Sequence, residues 1–101
     1  MLRETHAKSA SYDARNDTLV LSAEDECGRS GNRDAQLLLD AKGFLVGVDL
    51  EGGGLGRLLV MLGPHEAVEK QVKATVQVDG SSVTVLGAKK SVRGHEKNPY
   101  V

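Results

Sequence analysis

The chain has 101 residues, a length typical of one domain, and its 40% hydrophobic and 27% charged residues are the composition of a soluble globular protein. Two Tyr, one Phe and no Trp leave the core to Val, Leu and Ala, and they disfavour binding by aromatic stacking on bases. The sequence contains no apolar run of about 20 residues that could cross a bilayer. We therefore predict no membrane partner.

The distribution of charge indicates a basic C-terminal tail, and the single cysteine indicates a reducing compartment. The net charge is −1, but residues 89–101 hold four basic groups and one acid, so we predict that they are a disordered basic tail on an acidic body. Nucleic-acid binding by so short and diluted a tail is not favoured. Cys27 is the single cysteine, which fits a reducing compartment, and the first ten residues lack the apolar core of a signal peptide. The sequence predicts a cytoplasmic protein.

The front of the chain predicts a flexible segment and then a hairpin. Residues 1–8 have no periodic pattern and are expected to be flexible, and a single domain is expected over 9–88. The stretch SASYDARNDTLVLSA indicates strand, turn and strand, with turn chemistry from Asp13, Asn16 and Asp17.

The polar loop that follows contains RSGNR, in which Arg29 and Arg33 could hold a phosphate. Their spacing resembles the RxxxR motif of PilZ-type cyclic-dinucleotide receptors, which are small β-barrels. Those receptors also carry D/N-x-S-x-x-G, and the stretch DGSSVT lacks the final glycine of that second motif. Ordinary loop arginines are the simpler interpretation.

The next stretch, QLLLDAKGFLVGVDLE, predicts a second hairpin with a turn at Gly43. Alternation places Phe44, Val46, Val48 and Leu50 on one face of its second strand. The predicted core consists of that face together with leucines of the neighbouring strands: Leu19, Leu21, Leu37 and Leu39.

The glycine-rich stretch EGGGLGR joins this hairpin to an apolar strand, LLVML. A phosphate-binding loop would need a following helix and a Lys-Ser or Lys-Thr pair, and neither follows Gly56. A connection between strands is the favoured interpretation. The alternative is an anion nest in which Gly53 and Gly54 supply amides and Arg57 supplies charge.

The last elements are one short helix and a third hairpin. PHEAVEKQ, residues 64–71, predicts at most two helical turns, and a loop or strand entry is an open alternative. Alternating VKATVQVD and VTVLG flank Asp79-Gly80, a strong hairpin signal. The sequence therefore predicts an all-β fold, a small antiparallel sheet of six to seven strands folded as a sandwich or partly closed barrel.

Apolar residues also occupy the opposite faces of these strands. A sheet with one core face and one solvent-exposed face would not need apolar residues on both. Either the sheet closes, or the second face is an interface between subunits. The second possibility predicts a homo-oligomer, with a dimer favoured, or a complex with a protein partner. The candidate interface residues are Leu38, Leu45, Leu59 and Met61.

Two segments resemble a family of small bacterial domains of unknown function. YDARNDTLVLS matches its Tyr-Asp, Asp and Leu pattern, and LLLDAKGFLVGVDLE matches its D-x-x-G-x-x-V-G-V-x-[LI] pattern, together covering residues 11–51. The resemblance implies a bacterial antiparallel β-rich domain that is often oligomeric. It implies no catalytic residue. The loop at 24–34 and residues 52–101 depart from the pattern.

Catalytic and metal-binding patterns are weak throughout. His6, His65, His95 and Cys27 are scattered singly, without the paired spacing of zinc ligands, so no metal site and no cofactor are predicted. Nothing in the sequence places a nucleophile beside His65. We therefore expect a non-enzymatic interaction or assembly module that self-associates. The alternative is a small β-barrel sensor that binds an anion or nucleotide through Arg29, Arg33, Arg57 and the glycine-rich loop.

Overall fold

The computed structural model describes residues 2–51, 57–87, 99 and 100, which fold as a closed seven-stranded β-barrel. The strands are β1 (Leu2–Asp13), β2 (Thr18–Ala23), β3 (Gly31–Leu39), β4 (Leu45–Leu50), β5 (Arg57–Met61), β6 (Lys70–Asp79) and β7 (Ser82–Leu86). The order around the barrel is β1-β2-β7-β6-β3-β4-β5. All neighbours are antiparallel except β1 and β5, which pair in parallel and close the ring. The predicted all-β class is confirmed.

The predicted hairpin turns form where the sequence supplies residues that tolerate a positive φ. Gly80 has φ +62° between β6 and β7, and Gly43 has φ +94° before β4. Between β1 and β2, Asp17 has φ +52°, and its Oδ1 accepts a hydrogen bond from the Tyr12 hydroxyl at 2.7 Å. An aspartate tolerates this conformation better than most side chains, and the hydrogen bond supports the turn.

The N-terminal boundary differs from the prediction. Residues 2–8 belong to β1 rather than to a flexible segment, and Leu2 to His6 pair with Arg57 to Met61 of β5. Alternation did not reveal this strand because its outward residues are polar and few of its inward residues are large. Thr5 is one of those inward residues, and it is 3% exposed. Its pairing with β5 closes the barrel, so the expected flexible region is part of the framework.

The barrel interior is filled by aliphatic side chains from every strand. The buried set includes the predicted Leu19, Leu21, Leu37, Leu39, Val48 and Leu50. A bulge in the β3–β4 ladder changes the orientation of the other predicted core residues. Leu38 pairs with Gly47 whereas Leu39 pairs with Leu45, so β4 has one extra residue, Val46, at this point. The extra residue turns Leu45 inward and Val46 outward, against the predicted alternation. Phe44, predicted in the core, is only half-buried at the turn.

The predicted helix at 64–71 is reduced to one 3₁₀ turn, His65–Ala67. Lys70 and Gln71 already belong to β6, and the amide of Glu69 donates to the carbonyl of Leu39 at 2.8 Å. The alternative prediction, that the segment leads into a strand, is therefore correct for its last residues. The tail, predicted over 89–101, lies outside the described residues except for Pro99 and Tyr100.

Candidate functional site

One outer face of the barrel is apolar and is covered by the chain itself. Val46, Leu38, Leu59 and Met61 point outward from β3, β4 and β5 and form a second cluster. Leu59 is 8% exposed and Met61 1%. Gly47 makes their packing possible, because a Cβ there would lie 2.8 Å from Met61 Sδ and 2.9 Å from the Val60 carbonyl.

The first part of the cover is the connection between β5 and β6. Its start is fixed by the amides of Leu62 and Gly63, which both donate to the carbonyl of Val46 at 2.7 and 3.0 Å. Ala67 and Val68 then pack on the cluster. The imidazole of His65 contacts the carboxylate of Glu4 on β1, although both side chains remain partly exposed. The connection therefore crosses the outer face and is held along its length.

The second part of the cover is Tyr100, from the end of the chain. Its ring packs on the cluster and against Gly63, where a Cβ would lie 2.8 Å from the ring Cγ. Its hydroxyl donates to Asp40 Oδ2 at 2.7 Å. The ring therefore lies in a seat formed by three features: Gly63, which has no side chain, the apolar outer cluster, and the carboxylate of Asp40, which accepts the hydrogen bond.

Asp40 and Tyr100 shift each other's ionisation. Desolvation acts most strongly on Asp40 and would raise its pKa, but the hydrogen bonds from Tyr100 and from backbone amides of the turn together hold that pKa below its ordinary value. The same bond, with desolvation, raises the pKa of Tyr100. The pair is thus favoured as a neutral phenol donating to an ionised carboxylate.

An open groove of about 470 Å³ lies beside this seat. Phe44, Ala67, Pro99 and Tyr100 supply its apolar lining, and charged side chains stand at its sides, Lys42 and Glu69 among them. The groove shows mixed charge and half-buried aromatic rings. Nothing in its lining selects one class of ligand.

The candidate interface residues are buried in the single chain. Leu45 lies in the barrel interior at 0% exposed, because of the bulge in β4. Leu38, Leu59 and Met61 do share an outer face, as predicted, but the β5–β6 connection and Tyr100 cover them. The hypothesis that these four side chains form a subunit interface is therefore corrected. The sequence pattern correctly indicated apolar residues on an outer face. The prediction that a second subunit covers them was wrong, because segments of the same chain do so.

Arg33, a candidate anion ligand, points into the barrel end. It is 6% exposed, and its Nη1 donates to the carbonyl of Cys27 at 2.6 Å, while its Nη2 lies 3.4 Å from the carbonyl of Glu51. Burial lowers the pKa of Arg33, and the positive charge of Arg29 lowers it further. The side chain connects the β2–β3 loop to the end of β4, which is a structural role.

The other predicted anion ligands do not converge with it. Arg57 forms an ion pair with Asp49, which is 2% exposed, and this hydrogen bond raises the pKa of Arg57. Arg29 is exposed in the β2–β3 loop. Gly53 and Gly54 lie outside the described residues. Two of the three arginines are therefore engaged with the protein's own acceptors.

The charge around this end of the barrel is unfavourable for anions. The β2–β3 loop carries Glu24, Asp25 and Glu26, Glu51 ends the β4 hairpin, and Asp79 stands at the β6–β7 turn. Against these, Arg33 and Arg57 are already paired. A phosphate approaching Arg29 would meet several carboxylates, which opposes binding.

Metal and thiol chemistry have no assembled site in the described parts of the chain. No group of three or more His, Cys, Asp or Glu side chains there could hold a metal ion. Cys27 is 1% exposed, and burial raises the pKa of its thiol, although the charge of Arg33 opposes this. Burial therefore limits access to the thiol and disfavours the thiolate, which is the reactive form.

The structure also contains a strand edge that was not among the predicted site residues. β6 has ten residues and β7 has five, and the ladder between them begins at the pair Val76 and Val85. Residues 70–75 of β6 therefore pair with β3 on one side and, within the described part of the chain, with no strand on the other. We call residues 70–75 the open edge.

Exposed apolar side chains flank the open edge. Val72 lies on it, and Leu86 ends β7 where the overhang begins. Each is 36% exposed, and they are the exposed large apolar side chains of the described residues. β1 also extends past β5 at residues 8–13, but that stretch has no exposed large apolar side chain. Within the described part of the chain, the open edge therefore combines main-chain groups that have no partner strand with apolar contact surface.

A sequence signal for this feature existed. The alternating pattern that predicts the third hairpin is longer before Asp79-Gly80 than after it, and an unequal hairpin implies an overhang. The seat of Tyr100 had no such signal, since Asp40 and Tyr100 are 60 residues apart in the sequence.

Comparison of the chain with protein-family models, with curated proteins and with solved structures found no match. The resemblance over residues 11–51 therefore remains a hypothesis. Within the described residues, no helix is long and apolar enough to cross a membrane.

Proposed function

We propose that this protein is a non-enzymatic interaction module that receives an extended segment of a partner protein as an additional strand on the open edge. The observation that carries the proposal is the overhang of β6, whose residues 70–75 have no described strand on one side. Strand addition would satisfy their main-chain donors and acceptors and extend the sheet.

The surroundings of the open edge support this proposal. The other side of residues 70–75 is paired along its whole length with β3, so the barrel holds these residues in strand conformation. Val72 and Leu86 offer apolar contact to side chains of an added strand. A rigid edge loses little conformational entropy on binding, which favours association.

Self-association is the alternative to a different partner, because a second copy's β6 could supply the added strand. It would replace the predicted interface through Leu38, Leu59 and Met61, which the chain covers. No contact in the described residues favours the anion or nucleotide sensor, since Arg33 and Arg57 bind internal acceptors.

A cytoplasmic location also belongs to the proposal. It is supported by Cys27, the single cysteine, whose thiol is free and buried. Fractionation of the source cells tests it, and recovery of the protein in an extracytoplasmic fraction would contradict it.

Selection from a displayed library of ten-residue peptides tests the binding function on the full chain. We expect selected peptides to slow amide hydrogen exchange in residues 70–75 and to leave residues 8–13 of β1 unchanged. The second stretch is a matched control, because it also extends past a neighbouring strand. If no peptide is selected, or if protection maps only to other surfaces, the proposed function is wrong.

A further inference from the structure

We propose that the open edge selects acidic extended segments with the pattern acidic, apolar, any residue, acidic. This inference rests on the proposed function and deepens it by naming the partner chemistry. The open edge presents Lys70, Val72 and Lys73, all exposed. These three are the charged and large apolar side chains that an added strand would meet.

The two lysines lie on opposite faces of β6. Val76 and Val78 point into the barrel, so Lys70 and Val72 share that face at the barrel mouth, while Lys73 points outward. Lys70 and Lys73 form no ion pair with another described residue. Residues 70–75 contain no acid, although Glu69 immediately precedes them. An added strand would therefore meet a positive charge on each of its faces.

Two carboxylates on the outer face belong to the sheet behind Lys73. Asp34 and Glu51 line a shallow depression of about 310 Å³ together with Lys73. Glu51 already accepts a hydrogen bond from Gln36 at 3.2 Å. These acids lie toward β3 and β4, whereas an added strand would approach from the opposite side of β6.

Strand register converts these positions into a pattern. In an antiparallel addition, successive partner residues lie opposite Lys73, Val72, Gln71 and Lys70. Opposite charges and apolar pairs across neighbouring strands stabilise pairing, and like charges oppose it. An acidic residue, an apolar residue, any residue and a second acidic residue therefore complement the edge in that order.

The same charges disfavour a second copy as the occupant. Antiparallel pairing of two open edges places four lysines within a few positions of one another and supplies no acid from residues 70–75 to neutralise them. Lysines on exposed edges commonly prevent such self-pairing. With an acidic segment from another chain, the same lysines would attract the added strand instead of repelling it.

Peptide titration monitored by amide chemical shifts tests the inference. The probes are Thr-Glu-Val-Thr-Glu-Thr and the same peptide with Gln at both Glu positions. We expect the acidic peptide to bind about 2- to 30-fold tighter at low salt, with shifts centred on residues 70–75. The preference should fall at high salt, because the lysines are exposed.

Matched variants separate edge recognition from general charge attraction. The double variant Lys70→Glu and Lys73→Glu should reverse the preference, whereas Lys8→Glu, at an exposed lysine on β1, should leave it unchanged. All these positions are exposed, and the amide spectrum reports whether each variant is folded.

Three outcomes would overturn the inference. If both peptides bind equally at the open edge, the acidic preference is wrong while the proposed function stands. If library peptides also fail to bind there, both proposals are wrong. If instead the protein's mass rises with concentration and Lys70→Glu alters that rise, the occupant is a second copy.

Discussion

Two parts of the barrel surface carry outward or edge apolar groups, and the described residues cover only one of them. On β4 and β5 the outer face around Leu59, 8% exposed, lies under the β5–β6 connection and Tyr100. On β6 and β7, Val72 and Leu86 are each 36% exposed beside an overhanging strand. The first region is part of the fold, and the second has no cover among the described residues.

The difference shows why surplus apolar residues alone do not identify an interface. Leu59 and Met61 stabilise this chain because a later segment returns over them. At the open edge, by contrast, the main-chain groups lack a partner strand in the described residues, and main-chain donors and acceptors need hydrogen-bond partners.

The largest expected effect comes from the same substitution on the two surfaces. Leu59→Ala should lower the free energy of unfolding by about 2–4 kcal/mol, because it removes a buried side chain. Leu86→Ala should lower it by less than about 1 kcal/mol, because that side chain is exposed. Urea unfolding curves of both variants measure the difference. Equal losses would contradict the distinction between covered and open surfaces.

The seat of Tyr100 gives the next effect. Gly63→Ala should cost about 1–3 kcal/mol, because the new Cβ would overlap the ring. The same change in a Tyr100→Ala background should cost much less, since the ring is then absent. This double-mutant cycle isolates the contact. A cost that is the same in both backgrounds would mean that Tyr100 does not occupy the seat.

A smaller loss is expected from the hydrogen bond alone. Tyr100→Phe should reduce stability by about 1 kcal/mol, because the ring still packs but Asp40 loses a donor. Thermal unfolding at neutral pH measures it. Tyr12→Phe, which removes a hydroxyl bonded to Asp17, is a control on the opposite hairpin and should not couple to Gly63→Ala.

The pH dependence of that loss is the subtlest prediction. The pKa of Asp40 is lowered in the fold, so its contribution is present above the unfolded value near 4 and is lost as pH falls through the folded value. The pKa of Tyr100 is raised from 10.0, so its contribution is present below 10 and is lost as pH rises through the folded value.

The stability difference between the original chain and Tyr100→Phe should therefore be largest in the intervening range. It should shrink in acid and in strong alkali. Subtracting the variant removes the titration of other groups, such as Asp13, whose pKa is lowered by its hydrogen bond from Asn16 despite the opposing cost of burial. A difference that stays constant with pH would show that the phenol and carboxylate are not paired.

Local patterns in the sequence predicted much of the barrel but little of its surface. Alternation and turn residues located the hairpins, because the turns at Asp79-Gly80 and Gly43 depend on the conformation of only a few neighbouring residues. The bulge that turns Leu45 inward was hidden, since a one-residue shift leaves an all-apolar strand equally apolar. The cover by Tyr100 depends on contacts between distant segments, which no local pattern encodes. The overhang of β6 was visible as a length difference between two strands.

The most direct test of the open edge is amide hydrogen exchange, residue by residue, in the free protein at low concentration. An antiparallel strand paired on one side bonds alternate amides to its neighbour, so about half of the amides in residues 70–75 should exchange rapidly. Those of residues 76–78, paired on both sides, should exchange slowly. Uniformly slow exchange across residues 70–75 would show that this edge is already paired and would contradict the account.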